Sequence, residues 1–274
     1  MKQEKLKQKP IYSILMLSLP VVVSSITNLT LGVADTLMIG RTNVNQLAGV
    51  SGGAAIFALF SSIIGASLIS NEILSAKYFG EKKVNKVYEV FIYTLFFGLS
   101  VSILAIFFIL IFTDTLFNFI TDDNAITTTT FHYLLARSPE LLFYVPLVLL
   151  NDILGSYKKT KWLMYSTFIT NIFNIILGYF LIFGIWVFEP LGALGAGLSS
   201  SIATGITLIF IIIVFRKEAI FKNLKISSLN LTKKSFIRTQ KLNLPSIGSA
   251  GFDYLANLIL FGMMGAFGTV FLAG

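Results

Sequence analysis

Two carboxylates in this chain sit inside apolar surroundings. Asp35 ends the run LPVVVSSITNLTLGVAD of residues 19–35, and Asp253 lies within LPSIGSAGFDYLANLIL of residues 244–260. A carboxylate held there is chemistry for binding a proton or a small cation, because an ionisable group inside a membrane span costs several kcal/mol unless protein or water receives it. On a helix, Ser24, Asn28, Leu31 and Asp35 fall on one face. Thr167, Asn171, Asn174 and Gly178 repeat the same spacing further on. Two such stripes facing each other would make a hydrated pocket with Asp35 as its only charge. The competing reading makes Asp35 a cap near the outer interface and Asn171 and Asn174 interhelical hydrogen-bond glue. Asp253 falls near mid-membrane by count, eight residues after Pro245, and is a cation-site candidate in its own right.

The remaining polar groups invite plainer accounts. Glu72 precedes Lys77 by just over one turn and reaches water, Arg137 and Glu140 are spaced to neutralise each other, and Asp152 stands near the Lys158–Lys159 pair at an interface. His132 follows a threonine run and reads as exposed. The chain has no Cys and one His, so thiolate and imidazole metal centres are not expected; Na⁺ at Asp35 or Asp253 is the one metal ion these side chains suit. There is no phosphate-cradling glycine loop, no catalytic carboxylate pair and no nucleophile–base set. The expectation is a non-enzyme without cofactor, driven by an ion gradient if it transports anything.

The elements that must hold these groups follow from composition. Of the 274 residues 55% are hydrophobic and 12% charged, against about 25% charged in soluble domains, and the mean hydropathy is +0.82. This is an all-α integral membrane protein. Crossing the hydrocarbon takes about 20 apolar residues; uncharged runs of that length lie at 10–34, 42–71, 90–113, 162–188 and 190–215, and 131–157 and 242–274 qualify if a few polar residues are tolerated. That predicts about seven helices. The first is too long for a secretory leader and no small-residue cleavage site follows it. Pro20 and Pro146 lie inside spans, where they either permit kinks or answer to packing. Gly197, Ser201 and Gly205 form a small-residue ridge for close helix packing.

Orientation comes from lysine and arginine. Nineteen of the 21 basic residues fall before the first span or in alternate connections, and only Arg41 and Arg137 do not. The basic side is cytoplasmic, and the N-terminus with it. The net charge of +8 is therefore a membrane-topology signal, with no nucleic acid implied. The connection 217–241 is either a solvated linker drawn to anionic headgroups by its lysines or a partner-docking segment.

Residues 17–49 and 242–274 align without a gap at an offset of 225, sharing Leu17/Leu242, Pro20/Pro245, Ser24/Ser249, Met38/Met263, Gly40/Gly265 and a closing Leu-Ala-Gly. Both begin at a basic connection, the mark of a parallel repeat of six-helix halves. The expected organisation is a six-helix lobe at 1–216, a basic linker at 217–241, and at 242–274 a seventh helix that begins a second, parallel-repeat lobe. The chain reads as truncated.

Several segments resemble the multidrug and toxic compound extrusion (MATE) transporters. LSLPVVVSS, GVADTLMIG and QLAGVS are similar to that family's first helix and loop, ILSAKYFGEKKVNKV to its helix-two exit, and TNIFNIILGYFLIFG with PLGALGAGLSSSIA to its fifth and sixth helices. The resemblance covers nearly the whole chain. It implies a twelve-helix antiporter in the plasma membrane, monomeric, expelling lipophilic and often cationic small molecules for H⁺ or Na⁺. By that resemblance Asp35 is the proton or cation acceptor of the N-terminal lobe, Asn174 a helix-five asparagine of its site, and Ser200 a hydroxyl where many members have threonine. Gly178 departs from the Asp or Asn common there. Asp253 matches an acidic residue that NorM-like members use in a C-terminal-lobe cation site.

Three other readings compete. A lipid-linked saccharide flippase of the same superfamily would line its lobe interface with basic groups, yet Arg137 is the only positive residue within a span. A membrane enzyme acting on lipid would want clustered carboxylates or histidines. A scaffold would leave the repeat and the buried acids without a purpose.

Overall fold

The computed structural model describes residues 18–27, 36–120, 123–185, 189–218 and 229–266. All regular structure among them is helical. In chain order the labelled helices are α1 (Ser18–Thr27), α2 (Val44–Ala66), α3 (Ile69–Gly80), α4 (Val84–Ile120), α5 (Asn124–Arg137), α6 (Glu140–Ser156), α7 (Lys161–Phe183), α8 (Ala193–Lys217) and α9 (Lys233–Ala266), and residues 36–40 are helical as well. They form a helical membrane fold. Helix α1, the α2–α3 pair, α4, the α5–α6 pair, α7, α8 and α9 stand in turn where the seven spans are expected. Four stretches, Val44–Gly80, Val84–Thr113, α7 and α8, are long and apolar enough to cross a bilayer, and α5 with α6 makes a fifth if the bent pair is one span.

The bundle is apolar outside as well as inside, as a lipid-facing protein must be. Phe96, Leu104, Phe107 and Ile209 are exposed. Two buried clusters tie the helices together, one around Phe57, Leu134, Leu141, Val145 and Leu149, the other around Val87, Ile153, Leu154, Ile211 and Val214. Helix α8 packs along α7, α5 and α6; α3 packs on α4 and α6; α9 packs on α2, α3 and α4. Gly197 allows the α5–α8 approach, since a Cβ there would stand 2.5 Å from the Tyr133 carbonyl oxygen. Gly205 does not share that role, for its Cβ would meet Phe143 at an ordinary 3.6 Å.

Three boundaries differ from the sequence expectation. The span expected at 131–157 starts earlier, at Asn124, and is two helices bent by 42°. The bend lies at Ser138–Pro139, and α6 runs on through Pro146. The second span continues beyond 71 to Gly80 across a break at Ser67–Leu68. Helix α9 begins at Lys233, so the last third of the 217–241 connection is already helical.

Each break frees main-chain groups that lipid cannot solvate, and hydroxyls and amides take them up. Pro139 has no N–H, and its ring crowds the carbonyl four residues back. That carbonyl, Leu135 O, accepts from Ser138 Oγ at 3.0 Å. The next two, Ala136 O and Arg137 O, accept from Ser201 Oγ of α8 at 2.8 and 3.2 Å. At the other break, Ser67 Oγ donates to Ile64 O, and the Ser70 N–H at the start of α3 donates to Asn243 Oδ1 of α9 at 2.8 Å.

Beyond the end of α8, Glu218 accepts from Trp162 Nε1 at 3.1 Å and lies 3.2 Å from Lys159 Nζ, joining that end to the start of α7. Burial works to raise the Glu218 carboxyl, but the Trp162 and Lys159 bonds together outweigh it and hold it below the usual 4.5.

Ser201→Ala should lower stability by about 1 kcal/mol, whereas Ser199→Ala, whose hydroxyl bonds only its own helix at Ala196 O, should change it by less than about 0.5 kcal/mol. Thermal midpoints in detergent would check this, and equal effects would count against the cross-helix role. Because the folded Glu218 carboxyl is the stronger acid, its contribution is fully present above the unfolded value near 4.5 and fades as pH falls through the lower, folded value. Midpoints measured downward from pH 6 should therefore fall more steeply in the wild type than in Glu218→Gln.

Candidate functional site

Helix α7 presents Asn171, Asn174 and Gly178 on one face, and all three are buried. The neighbour of Asn171 is α1: its Nδ2 donates to Thr27 O at 2.9 Å. The neighbour of Asn174 is α8: its Nδ2 donates to Ser200 Oγ at 2.8 Å, and Ser200 Oγ lies 3.3 Å from Ala196 O. The two asparagines thus join three helices at one level, α1, α7 and α8.

The seam extends both ways along α7. Toward the lysine-rich end, Thr170 and Thr207 share a hydrogen bond of 2.8 Å, and Asn151 Nδ2 donates to Ser166 Oγ at 3.2 Å. Toward the other end, a Cβ at Gly178 would stand 3.3 Å from Met38 Cε and 3.5 Å from Ser199 Oγ. A carboxylate or amide at 178 would point at those two groups; glycine leaves the place to Met38.

The seam has buried oxygens left over. Asn171 and Asn174 each spend their NH₂ on a neighbouring helix, and the Oδ1 of each is buried with no hydrogen-bond partner among the described residues. Ser24 Oγ on α1 is in the same position. A buried amide oxygen without a partner costs about 1–3 kcal/mol, and amide and hydroxyl oxygens are the ligand type of a hard cation or a protonated amine. Chemically, the α1–α7–α8 junction can receive a positively charged or proton-donating group.

Of the residues expected to form the site, Asn171, Asn174 and Ser200 come together. Asn28 and Asp35 lie outside the described residues. Asp253 is exposed on α9, the helix that packs on α2, α3 and α4, and so belongs to a different wall from the asparagines. Thr167 bonds its own helix at Leu163 O. The sequence reading missed Thr170, Thr207 and Asn151; each is a lone polar residue in an apolar helix segment, a signal that exists but does not say which neighbour it meets.

Arg137 occupies the α5–α6 break. Its guanidinium donates to Glu140 at 3.0 Å and to the Tyr133 hydroxyl, and lies 4.3 Å from the centre of the Phe57 ring. The Arg137 guanidinium is therefore committed to protein groups, beside a cavity of about 300 Å³ lined by Phe57, Ser61, Glu140 and Tyr144.

Residues 20–180 match the MatE family model. Two proteins named probable multidrug resistance protein NorM are similar in sequence. The one from Streptococcus pneumoniae is 27% identical over 228 residues, 81% of this chain and 48% of that protein. The one from Bacillus cereus is 27% identical over 255 residues, 91% and 54%. The chain spans about half the length of the curated relatives it matches. Among solved structures, a MATE protein in complex with MaD5 superposes with a TM-score of 0.84 at 17% identity, over 98% of this chain and 60% of that one. A MOP superfamily transporter from Pyrococcus furiosus gives 0.81 at 17% identity, over 92% and 55%. At that identity the superpositions establish the fold, and the family model, which covers more than half of the chain, establishes the kinship: the chain belongs to the MatE family.

Proposed function

We propose that the protein carrying this chain is a secondary multidrug efflux antiporter of the cell membrane, exchanging lipophilic, often cationic compounds for H⁺ or Na⁺. The observation that carries this reading is the pair of buried amide oxygens of Asn171 and Asn174, without a hydrogen-bond partner among the described residues, beside α1. The multidrug resistance named for the similar NorM proteins supports the same reading. In this account Asp35 supplies the negative charge, and Asn171, Asn174 and Asn28 supply neutral oxygens. Ser200 holds the Asn174 amide so that its oxygen faces the junction. Asp253 serves a separate cation position on the second lobe.

The exchange follows from competition for one charge. A proton or Na⁺ on Asp35 satisfies the site and leaves nothing to hold a cationic compound; the compound binds only when the ion has left. Each ligand must bind the inward- and outward-open states with different affinity to bias their interconversion. The excess of lysine and arginine at one end of the bundle supports a cytoplasmic N-terminus. The flippase alternative needs free basic groups along the transport path, and the engagement of Arg137 by Glu140 and Tyr133 argues against it.

In everted vesicles containing the natural full-length protein, Asp35→Asn should lower gradient-driven transport of a fluorescent lipophilic cation about tenfold or more. Undiminished transport in that variant would move the coupling role to Asp253. Asn174→Ala should weaken the apparent affinity for the coupling ion about tenfold, or about 1.4 kcal/mol, with imposed pH and Na⁺ gradients identifying the ion. Ser199→Ala should leave that affinity unchanged, and an equal loss in both variants would remove Asn174 from the site.

A further inference from the structure

At the lysine-rich end of the bundle, α9 closes a second cavity of about 440 Å³ against α3 and α4. The closure is built from hydrogen bonds. Ahead of α9, the Asn230 N–H donates to Glu89 Oε1 at 3.2 Å and the Thr232 N–H to the Tyr93 hydroxyl at 2.6 Å. Within α9, Gln240 Nε2 donates to Tyr93 O at 3.3 Å, and Asn243 Nδ2 to Gln240 Oε1 at 2.6 Å. The cavity therefore has fixed walls, two from the first lobe and one from the helix that begins the second.

Its charges do not balance. Lys77 of α3, Lys86 of α4 and Arg238 of α9 line it, against one carboxylate, Glu89. Glu89 is 4% exposed and already occupied, by Lys86 Nζ at 2.6 Å and by the Asn230 N–H. Among the described residues, no ion pair reaches Lys77 or Arg238.

The cations also share a pattern. On each wall an apolar residue lies one helical turn toward the membrane interior: Ile73 below Lys77, Val90 below Lys86, Leu242 below Arg238, and all six line the cavity. The chain runs outward in α3 and inward in α4 and α9, so the pattern is a property of depth and not of sequence direction. Lys77 lies three residues before the end of the Val44–Gly80 stretch and Lys86 two after the start of Val84–Thr113, which sets the cations at headgroup level. Ile73 and Leu242 are 50% and 39% exposed.

We propose that this cavity binds an anionic membrane phospholipid, with its phosphate between Lys77 and Arg238 and its acyl chains along Ile73 and Leu242. The apolar row decides the class of ligand. A soluble phosphate ester would use the cations and leave that row idle, whereas a phospholipid uses both, as basic pockets between membrane helices do elsewhere. Bound there, the headgroup joins the first lobe to the start of the second.

The test uses the purified protein in detergent, with phosphatidylglycerol, phosphatidylcholine and inorganic phosphate as separate probes. Native mass spectrometry counts retained lipid and thermal midpoints report stabilisation. Wild type and Lys217→Gln, which removes an exposed lysine away from the cavity, should retain one phosphatidylglycerol about tenfold more tightly than phosphatidylcholine. The double variant Lys77→Gln/Arg238→Gln should lose that preference, and Arg238→Lys should keep it. If the double variant is poorly folded in phosphatidylcholine, Arg238→Gln alone serves, with a smaller loss expected. Equal preference in wild type and these variants would overturn the proposal. So would stabilisation by inorganic phosphate as large as that by phosphatidylglycerol.

Discussion

Inside a bilayer no water is available to a main-chain N–H or C=O that its own helix has released. Much of this structure is organised around that constraint. The spans are interrupted at Ser67–Leu68 and at Ser138–Pro139, and at each interruption a polar side chain from another helix makes up the missing bond. Ser201 serves the carbonyls of α5, and Asn243 serves the Ser70 amide at the start of α3. Small residues make this feasible, because a serine hydroxyl reaches a neighbouring backbone only when the two helices nearly touch, as α5 and α8 do at Gly197. The breaks, the glycines and the buried hydroxyls are one solution to one problem.

The same constraint prepares the candidate site. An asparagine that gives its NH₂ to a neighbouring helix has its oxygen fixed in direction, and at Asn171 and Asn174 that oxygen is left over. The packing requirement and the binding capacity are thus the two ends of one amide group. This also accounts for a candidate site with few charges among the described residues: the scaffold itself supplies oriented oxygens.

How far this could be read from the sequence depended on whether the information was local. The helical spans were legible because apolar length is local, and the Asn171, Asn174 and Gly178 face was legible because helical spacing is local. Which proline bends the chain was not: Pro146 and Pro139 look alike in sequence, and a serine of another helix serves carbonyls near each, Ser102 at Leu141 O and Ser201 at Ala136 O and Arg137 O, yet only Pro139 stands at a break. Asn71, Asn243 and Glu89 were passed over for a related reason. Each is a single polar residue whose meaning is set by a backbone far away in sequence, as when Asn243 meets Ser70 and Asn71 Nδ2 donates to Leu149 O at 3.0 Å. The start of α9 at Lys233 was hidden by its lysines, which read as a solvated connection until Tyr93 and Glu89 give it a surface to rest on.

Helix α4 carries a mechanical consequence. Its 37 residues contain no proline and a single glycine, Gly98, and at 1.5 Å per residue it is a rod about 55 Å long, well beyond the roughly 30 Å of hydrocarbon. Gly98 is not a weak point, since a Cβ there would collide with Leu68 at the α2–α3 break and Val145 of α6; it is where the rod is gripped. A rod gripped there, and packed along its length by α3, α5, α6 and α9, can shift only together with the helices that hold it.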